Sequence, residues 1–134
     1  MIYGTGIDLV DVARIKESIL RTTSFKTRVF SQAEIAYCEE ASSDTVYQRY
    51  AARFAAKEAF LKACGTGLRA GYCLNEISVS RDSLGKPSIE LSGKSLETFS
   101  QTIGAIINLS ITHTETLAQA IVIISLQNQS TKTQ

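Results

Sequence analysis

A chain of 134 residues has the size of one domain and can bury a core without disulfides or a structural metal. Its 44% apolar residues, 20% charged residues and net charge of +1 are ordinary for a globular protein, and no overall field would draw nucleic acid. Three cysteines, Cys38, Cys64 and Cys73, with no CxxC pair, point away from a disulfide framework or a cysteine zinc site. They read instead as small buried or half-buried apolar residues in a reducing compartment.

The opening residues, Met1 to Val10, lack the positive start and unbroken apolar run of a secretory leader. No stretch approaches the roughly 18 apolar residues of a membrane span. The expected setting is therefore cytoplasmic, without a membrane partner. Ile2 to Val10 is β-branched and carries Gly4 and Gly6, which predicts a strand with Asp8 near its C-terminal end. Asp11 is placed to cap the next segment, Val12 to Arg21, whose apolar residues Val12, Ile15, Ile19 and Leu20 recur at roughly helical spacing. A short helix is expected near Phe25 to Val29. Ser31-Gln32-Ala33-Glu34 has the pattern of a capping box, and a helix should follow to about Glu40.

The longest helix is predicted over Thr45 to Cys64, after an N-cap at Asp44 and before the stop signal Gly65. Its six alanines between Ala51 and Ala63 allow a neighbouring backbone to come close. Glu76 to Ser80 and Pro87 to Leu91 read as two strands joined by Ser83 to Lys86. Gly93 to Ile103 reads as an amphipathic helix with Leu96, Phe99 and Ile103 on one side. Ala105 to Thr112 and Leu117 to Leu126 are the last strands. The order predicts an α+β fold, with helices against an antiparallel sheet. One domain is expected over residues 1–127, followed by a loose polar tail over 128–134.

Three segments carry chemistry. In Gly6 to Ile15, Asp8 has two readings: a turn or cap residue, or a ligand. In Arg53 to Gly67, Glu58 and Lys62 lie four apart on one helix face, and Arg53 and Lys57 on an adjacent one. These are either surface ion pairs or a metal-binding carboxylate beside a phosphate-binding ammonium. Gly65-Thr66-Gly67 follows a helix C-terminus, where the dipole disfavours anions, so its amides bind phosphate only through local turn geometry. In Ser110 to Thr114, the chain's single histidine, His113, stands at a strand end, as a structural residue or as part of a site.

Taken in order and at this spacing, Gly6 to Ile15, Arg53 to Gly67 and Leu109 to Val122 resemble the holo-acyl-carrier-protein synthase family, the small 4′-phosphopantetheinyl transferases. Arg28-Val29-Phe30, Tyr37-Cys38 and Gly85-Lys86-Pro87 add to the likeness, which covers nearly the whole chain. The resemblance implies the 4′-phosphopantetheinyl transferase fold. It also implies transfer of the phosphopantetheine arm of coenzyme A to a serine of an acyl carrier protein, in fatty acid biosynthesis.

In that resemblance Asp8 and Glu58 hold Mg²⁺, with Mn²⁺ as an alternative, and Lys62 contacts the phosphate and stabilises the leaving group. Arg53 lies near the nucleotide phosphates, Gly65, Thr66 and Gly67 form the turn that approaches coenzyme A, and Lys86 and Pro87 form part of the adenine wall. His113 stands beside the cofactor at a subunit boundary. Arg14 is the carrier-binding arginine. Arg21, Phe25 and Arg28 join it, although Thr22-Thr23-Ser24 is less basic than in many relatives. Family members of this length are homotrimers with active sites between subunits. Two other readings remain at this point: the same chemistry on a polyketide-type carrier, and a non-catalytic coenzyme A-binding trimer.

Overall fold

The computed structural model describes residues 1–127; the predicted tail, 128–134, lies outside the described residues. In chain order the elements are β1 (Ile2–Asp11), α1 (Val12–Arg21), α2 (Phe25–Val29), α3 (Gln32–Glu39) and α4 (Thr45–Cys64). Two 3-10 turns, Gly67–Ala70 and Leu74–Glu76, lead to β2 (Ile77–Arg81), β3 (Pro87–Leu91), α5 (Gly93–Thr102), β4 (Ile106–His113) and β5 (Leu117–Ser125).

The α+β reading holds, with one refinement: the strands form two antiparallel sheets. One is ordered β1-β5-β4 and the other is the β2-β3 hairpin. Register in the larger sheet sets Asp8 opposite Ala120, and Ala120 opposite Ile111. Helix α4 fills the centre and packs on β1 and β5. Its residues Tyr50, Ala55, Ala56, Ala59 and Phe60 are all fully buried.

Local chemistry explains the boundaries, with some corrections. The capping box forms: Ser31 Oγ accepts from the Glu34 amide at 3.2 Å, and Glu34 accepts from the Ser31 amide at 2.9 Å. Gly65 ends α4 with a left-handed φ of 84°, a conformation that favours glycine. Asp11 and Asp44 stand at the N-caps of α1 and α4, but neither side chain makes a capping hydrogen bond. The β2-β3 turn is instead held by Asp82, whose carboxylate accepts from the amides of Leu84 and Lys86, both at 2.9 Å.

On α5 the inward residues are Ser95 and Phe99, while Leu96 is exposed. The polar Ser95 is tolerated there because its hydroxyl donates to Glu76 at 2.9 Å and accepts from the Cys73 amide at 2.9 Å. Cys38 and Cys64 are buried free thiols, and burial pushes them up to about 12 and about 11 respectively. Cys73 is free and exposed, contrary to the expectation of burial.

Candidate active site

Alternation along β1 places Gly4, Gly6, Asp8 and Val10 on the face turned towards α4. A Cβ at Gly4 would overlap the carbonyl oxygen of Ala63, and one at Gly6 that of Ala59. The two glycines therefore let strand and helix backbones touch. Asp8 follows on the same face and meets α4 where Glu58 and Lys62 project. Lys62 Nζ donates to Asp8 Oδ1 at 3.1 Å and to the Ile7 carbonyl at 3.0 Å.

One expectation is refined and one corrected here. Asp8, expected near the C-terminal end of its strand, lies three residues inside it, on the face turned to the helix. Lys62 pairs with Asp8; no Glu58–Lys62 pair forms among the described residues.

Glu58 feels both its neighbours. Burial and the negative charge of Asp8 hold its carboxyl above the usual range, and Lys62 opposes them. Two carboxylates that repel each other beside open space suit a cation. Among the described residues no group of three His, Cys, Asp or Glu gathers as a metal site. Asp8 and Glu58 alone fit a hard divalent ion such as Mg²⁺, which takes its remaining oxygens from phosphate and water.

Two cavities meet at Glu58. One, of about 410 Å³, is lined by Asp8 and Glu58 together with Arg14, Ile15, Phe25 and Phe54. Phe25 is steadied there by Phe54 and Phe30, with ring centroids at 6.3 and 6.4 Å. The other, of about 540 Å³, is lined by Glu58, Leu61, Lys62 and the turn from Gly65 to Arg69. The fold thus brings together eight of the sequence-predicted residues around one carboxylate: Asp8, Arg14, Phe25, Glu58, Lys62, Gly65, Thr66 and Gly67.

The remaining predicted residues lie elsewhere on the chain. Arg53 is only 2% exposed. From position 53 to position 58 a helix turns by about 140°, which carries Arg53 away from both cavities. Its guanidinium lies 4.2 Å over the Tyr37 ring, as does that of Arg49, and its buried Nε has no hydrogen-bond partner. Lys86 and Pro87 belong to the β2-β3 hairpin, and His113 is an exposed end of β4; none of the three lines either cavity. Arg21 forms an exposed pair with Glu17 at 3.3 Å, and Arg28 is exposed.

Sequence reasoning missed a buried ion pair next to the site. Lys57, read as part of a helix-face pair with Arg53, is wholly buried against Glu34 at 2.6 Å. It also donates to the carbonyls of Leu74 and Ile77, while Glu34 accepts from the Val79 amide at 2.9 Å. The available signal was a lysine set among the core alanines of a helix.

Comparison with known proteins shows the family. The sequence model of the 4′-phosphopantetheinyl transferase superfamily matches residues 4–120. The chain belongs to that superfamily. Its relatives place it in the holo-[acyl-carrier-protein] synthase family. The synthase of Syntrophus aciditrophicus (strain SB) is 42% identical over 125 residues, covering 92% of this chain and 96% of the relative.

Solved structures agree too. The Neisseria meningitidis holo-[acyl-carrier-protein] synthase superposes with a TM-score of 0.82 at 33% identity, covering 93% of this chain and 99% of that one. The Bacillus anthracis synthase, solved in complex with CoA (3′,5′-ADP), gives 0.79 at 31% identity, covering 95% and 99%.

Proposed function

We propose that this protein transfers the 4′-phosphopantetheine arm of coenzyme A to a serine hydroxyl of an apo-acyl carrier protein, in fatty acid biosynthesis. The observation that carries the reading is the position of Glu58 as a wall common to two cavities. One holds Lys62 and the glycine turn, and the other holds Asp8, Arg14 and Phe25. A transferase needs a donor and an acceptor on either side of one reacting phosphorus. The cavity beside Lys62 suits the anionic donor, and the one beside Arg14 suits the acidic carrier.

In this reading the serine oxygen bonds to the β-phosphorus of coenzyme A. The bond to the nucleotide phosphate breaks, the hydroxyl proton is released, and adenosine 3′,5′-bisphosphate leaves. The work of the protein is positioning and charge stabilisation. Asp8 and Glu58 would hold Mg²⁺, or Mn²⁺, which supplies positive charge to the diphosphate. Lys62 neutralises charge on the leaving phosphate. Arg14 and Phe25, with exposed Arg21 and Arg28, receive the carrier.

A trimer is part of the same proposal. Tyr3, Ile7, Leu9, Leu117 and Ile121 are exposed apolar residues on the sheet face turned away from α4. A neighbouring copy seated there would cover them. Lys86, Pro87 and His113, absent from this chain's own Glu58 cavities, would then complete a neighbour's nucleotide site, whereas Arg53, buried over Tyr37, would not reach it. The single domain over 1–127 is the repeating unit. Free cysteines, including exposed Cys73, suit a reducing, cytoplasmic setting.

The test is incubation with coenzyme A, Mg²⁺ and an apo-carrier, followed by intact-mass measurement. A carrier heavier by one phosphopantetheine arm, with no mass gain when a chelator is present from the start, is the expected result. An unchanged carrier mass with several acyl carrier proteins would reject the activity. Light scattering of the same sample should give three times the chain mass.

A further inference from the structure

Helix α2 carries Phe25 into the wall of the cavity that holds Asp8, Arg14 and Glu58, yet it has little of its own to keep it in place. Its five residues are too few for a helix to persist by itself. Its N-cap, Ser24, makes no side-chain capping hydrogen bond, and no acidic residue stands in its first turn. Lys26 is its second residue, close to the positive end of the helix dipole, where a cation is disfavoured. A group outside the helix has to hold that cation.

The outside partner is Glu39, the last residue of α3. Lys26 Nζ donates to Glu39 Oε1 at 2.6 Å, and the Tyr50 hydroxyl of α4 donates to the same oxygen at 3.0 Å. Tyr50 is fully buried, and the Lys26 ammonium lies 5.8 Å from the centre of its ring. A half-exposed ion pair ordinarily contributes little, because both side chains are free to swing into water. Here a core residue fixes the carboxylate, so the lysine meets a stationary partner. The hydrogen bond from Lys26 also holds the Glu39 carboxyl below its usual range, which keeps the pair charged at neutral pH. From the same tyrosine a line of rings runs to the cavity: Tyr50 to Phe30 at 4.8 Å, Phe30 to Phe25 at 6.4 Å, and Phe25 to Phe54 at 6.3 Å.

We propose that Glu39 is a positioning residue for the transfer: by holding Lys26 beside Tyr50 it keeps α2, and with it Phe25, in the shape that receives the carrier. This rests on the carrier reading above. Glu39 lines neither Glu58 cavity, so it acts through α2.

The experiment compares the wild type, Glu39→Gln, Lys26→Met and the double variant, with coenzyme A, Mg²⁺ and one apo-carrier. Glu39→Gln should raise the KM for carrier about threefold, in the range of one half-exposed ion pair, and leave kcat and the KM for coenzyme A unchanged. The sign separates positioning from plain attraction. Removing a carboxylate makes the surface more positive, which by attraction alone would lower the KM for an acidic carrier. Lys26→Met should match Glu39→Gln, and the double variant should be no worse than either, because each change breaks the same contact. Hydrogen exchange of the free protein, followed by NMR, gives a readout that needs no carrier. In Glu39→Gln the amides of Arg28 and Phe30, which bond to the Ser24 and Lys26 carbonyls, should exchange faster, while those of α4 keep their wild-type rates.

A carrier KM lowered or unmoved in Glu39→Gln, or α2 amides exchanging at the wild-type rate, would overturn the role given to Glu39. A wild type that modifies no carrier would defeat the transferase reading instead, and the exchange rates would still decide whether Glu39 holds α2.

Discussion

Lys57 and Lys62 stand five positions apart on α4, and each pairs with a carboxylate from another element. The Lys57–Glu34 pair has both side chains at 0% exposure, whereas in the Lys62–Asp8 pair they are 56% and 17% exposed. Burial pushes the Lys57 ammonium below its usual range, and Glu34 opposes that shift. The inner pair is tolerated because its polar atoms are matched: the ammonium has three acceptors, and the carboxylate serves the amides of Ser31 and Val79. The outer pair borders open cavities and is free to exchange partners for a ligand. One helix thus carries a locked charge inside the core and an open charge at the border of a cavity. Adjacent residues, Lys57 and Glu58, belong to the two different regimes.

The largest effect should come from unmatching the inner pair. Lys57→Met leaves Glu34 charged and unpaired in the core and should cost about 3–5 kcal/mol of unfolding free energy in urea titration. Adding Glu34→Gln removes the stranded charge and should restore part of that loss. A single variant as stable as wild type would mean that the pair does not fix the helix. Next in size, Asp8→Ala and Glu58→Ala should each lower kcat/KM by about 10²–10³-fold, as for a lost electrostatic contact to the reacting group. Their melting temperatures should stay close to wild type, because these residues border cavities and do not fill the core. Near-normal turnover at saturating Mg²⁺ in either variant would remove that residue from the metal site.

The same contrast explains what could be read from the sequence. The helix boundaries at Val12, Thr45 and Cys64 are legible because apolar spacing, the alanine run and Gly65 act locally. The convergence of Asp8 on Glu58 and Lys62 is legible only through the three motifs together. Its physical cause, a strand with glycines seated against helix carbonyls, is a contact between distant segments. The Lys57–Glu34 pair is not legible from spacing, since Arg53 and Lys57 have the i, i+4 look of a surface face. What makes them interior is α3 and β2 packing over that side of α4. Asp11 and Asp44 show the reverse error: both occupy cap positions without capping.

A smaller effect is expected where the outer region meets its partner. Arg14 lines the cavity with Asp8 and Glu58 but lies on the exposed side of α1. Arg14→Ala should raise the KM for carrier about fivefold and leave that for coenzyme A unchanged, in the range of one exposed interfacial charge. The KM for carrier should also rise with ionic strength in the wild type. Equal changes for both substrates would place Arg14 in the donor site instead.

The smallest effect runs opposite in sign to the loss of activity. The Glu58 carboxyl is raised in the folded protein by burial and by Asp8. A raised carboxyl favours the fold while it is protonated, and that contribution is lost as pH rises through its folded value. At neutral pH without metal, ionised Glu58 is therefore a local cost, offset when a cation binds between it and Asp8. Glu58→Gln should relieve that cost. In a chelator at pH 7 the variant should melt about 2 °C above wild type, and near pH 4, where wild-type Glu58 is largely protonated, the difference should vanish. Added Mg²⁺ should raise the wild-type melting temperature more than that of the variant, because the cation recovers a repulsion only the wild type contains. If Glu58→Gln melts below wild type in chelator at pH 7, the carboxylate is a structural asset like Glu34, and the division of α4 into a locked and an open charge fails at this residue.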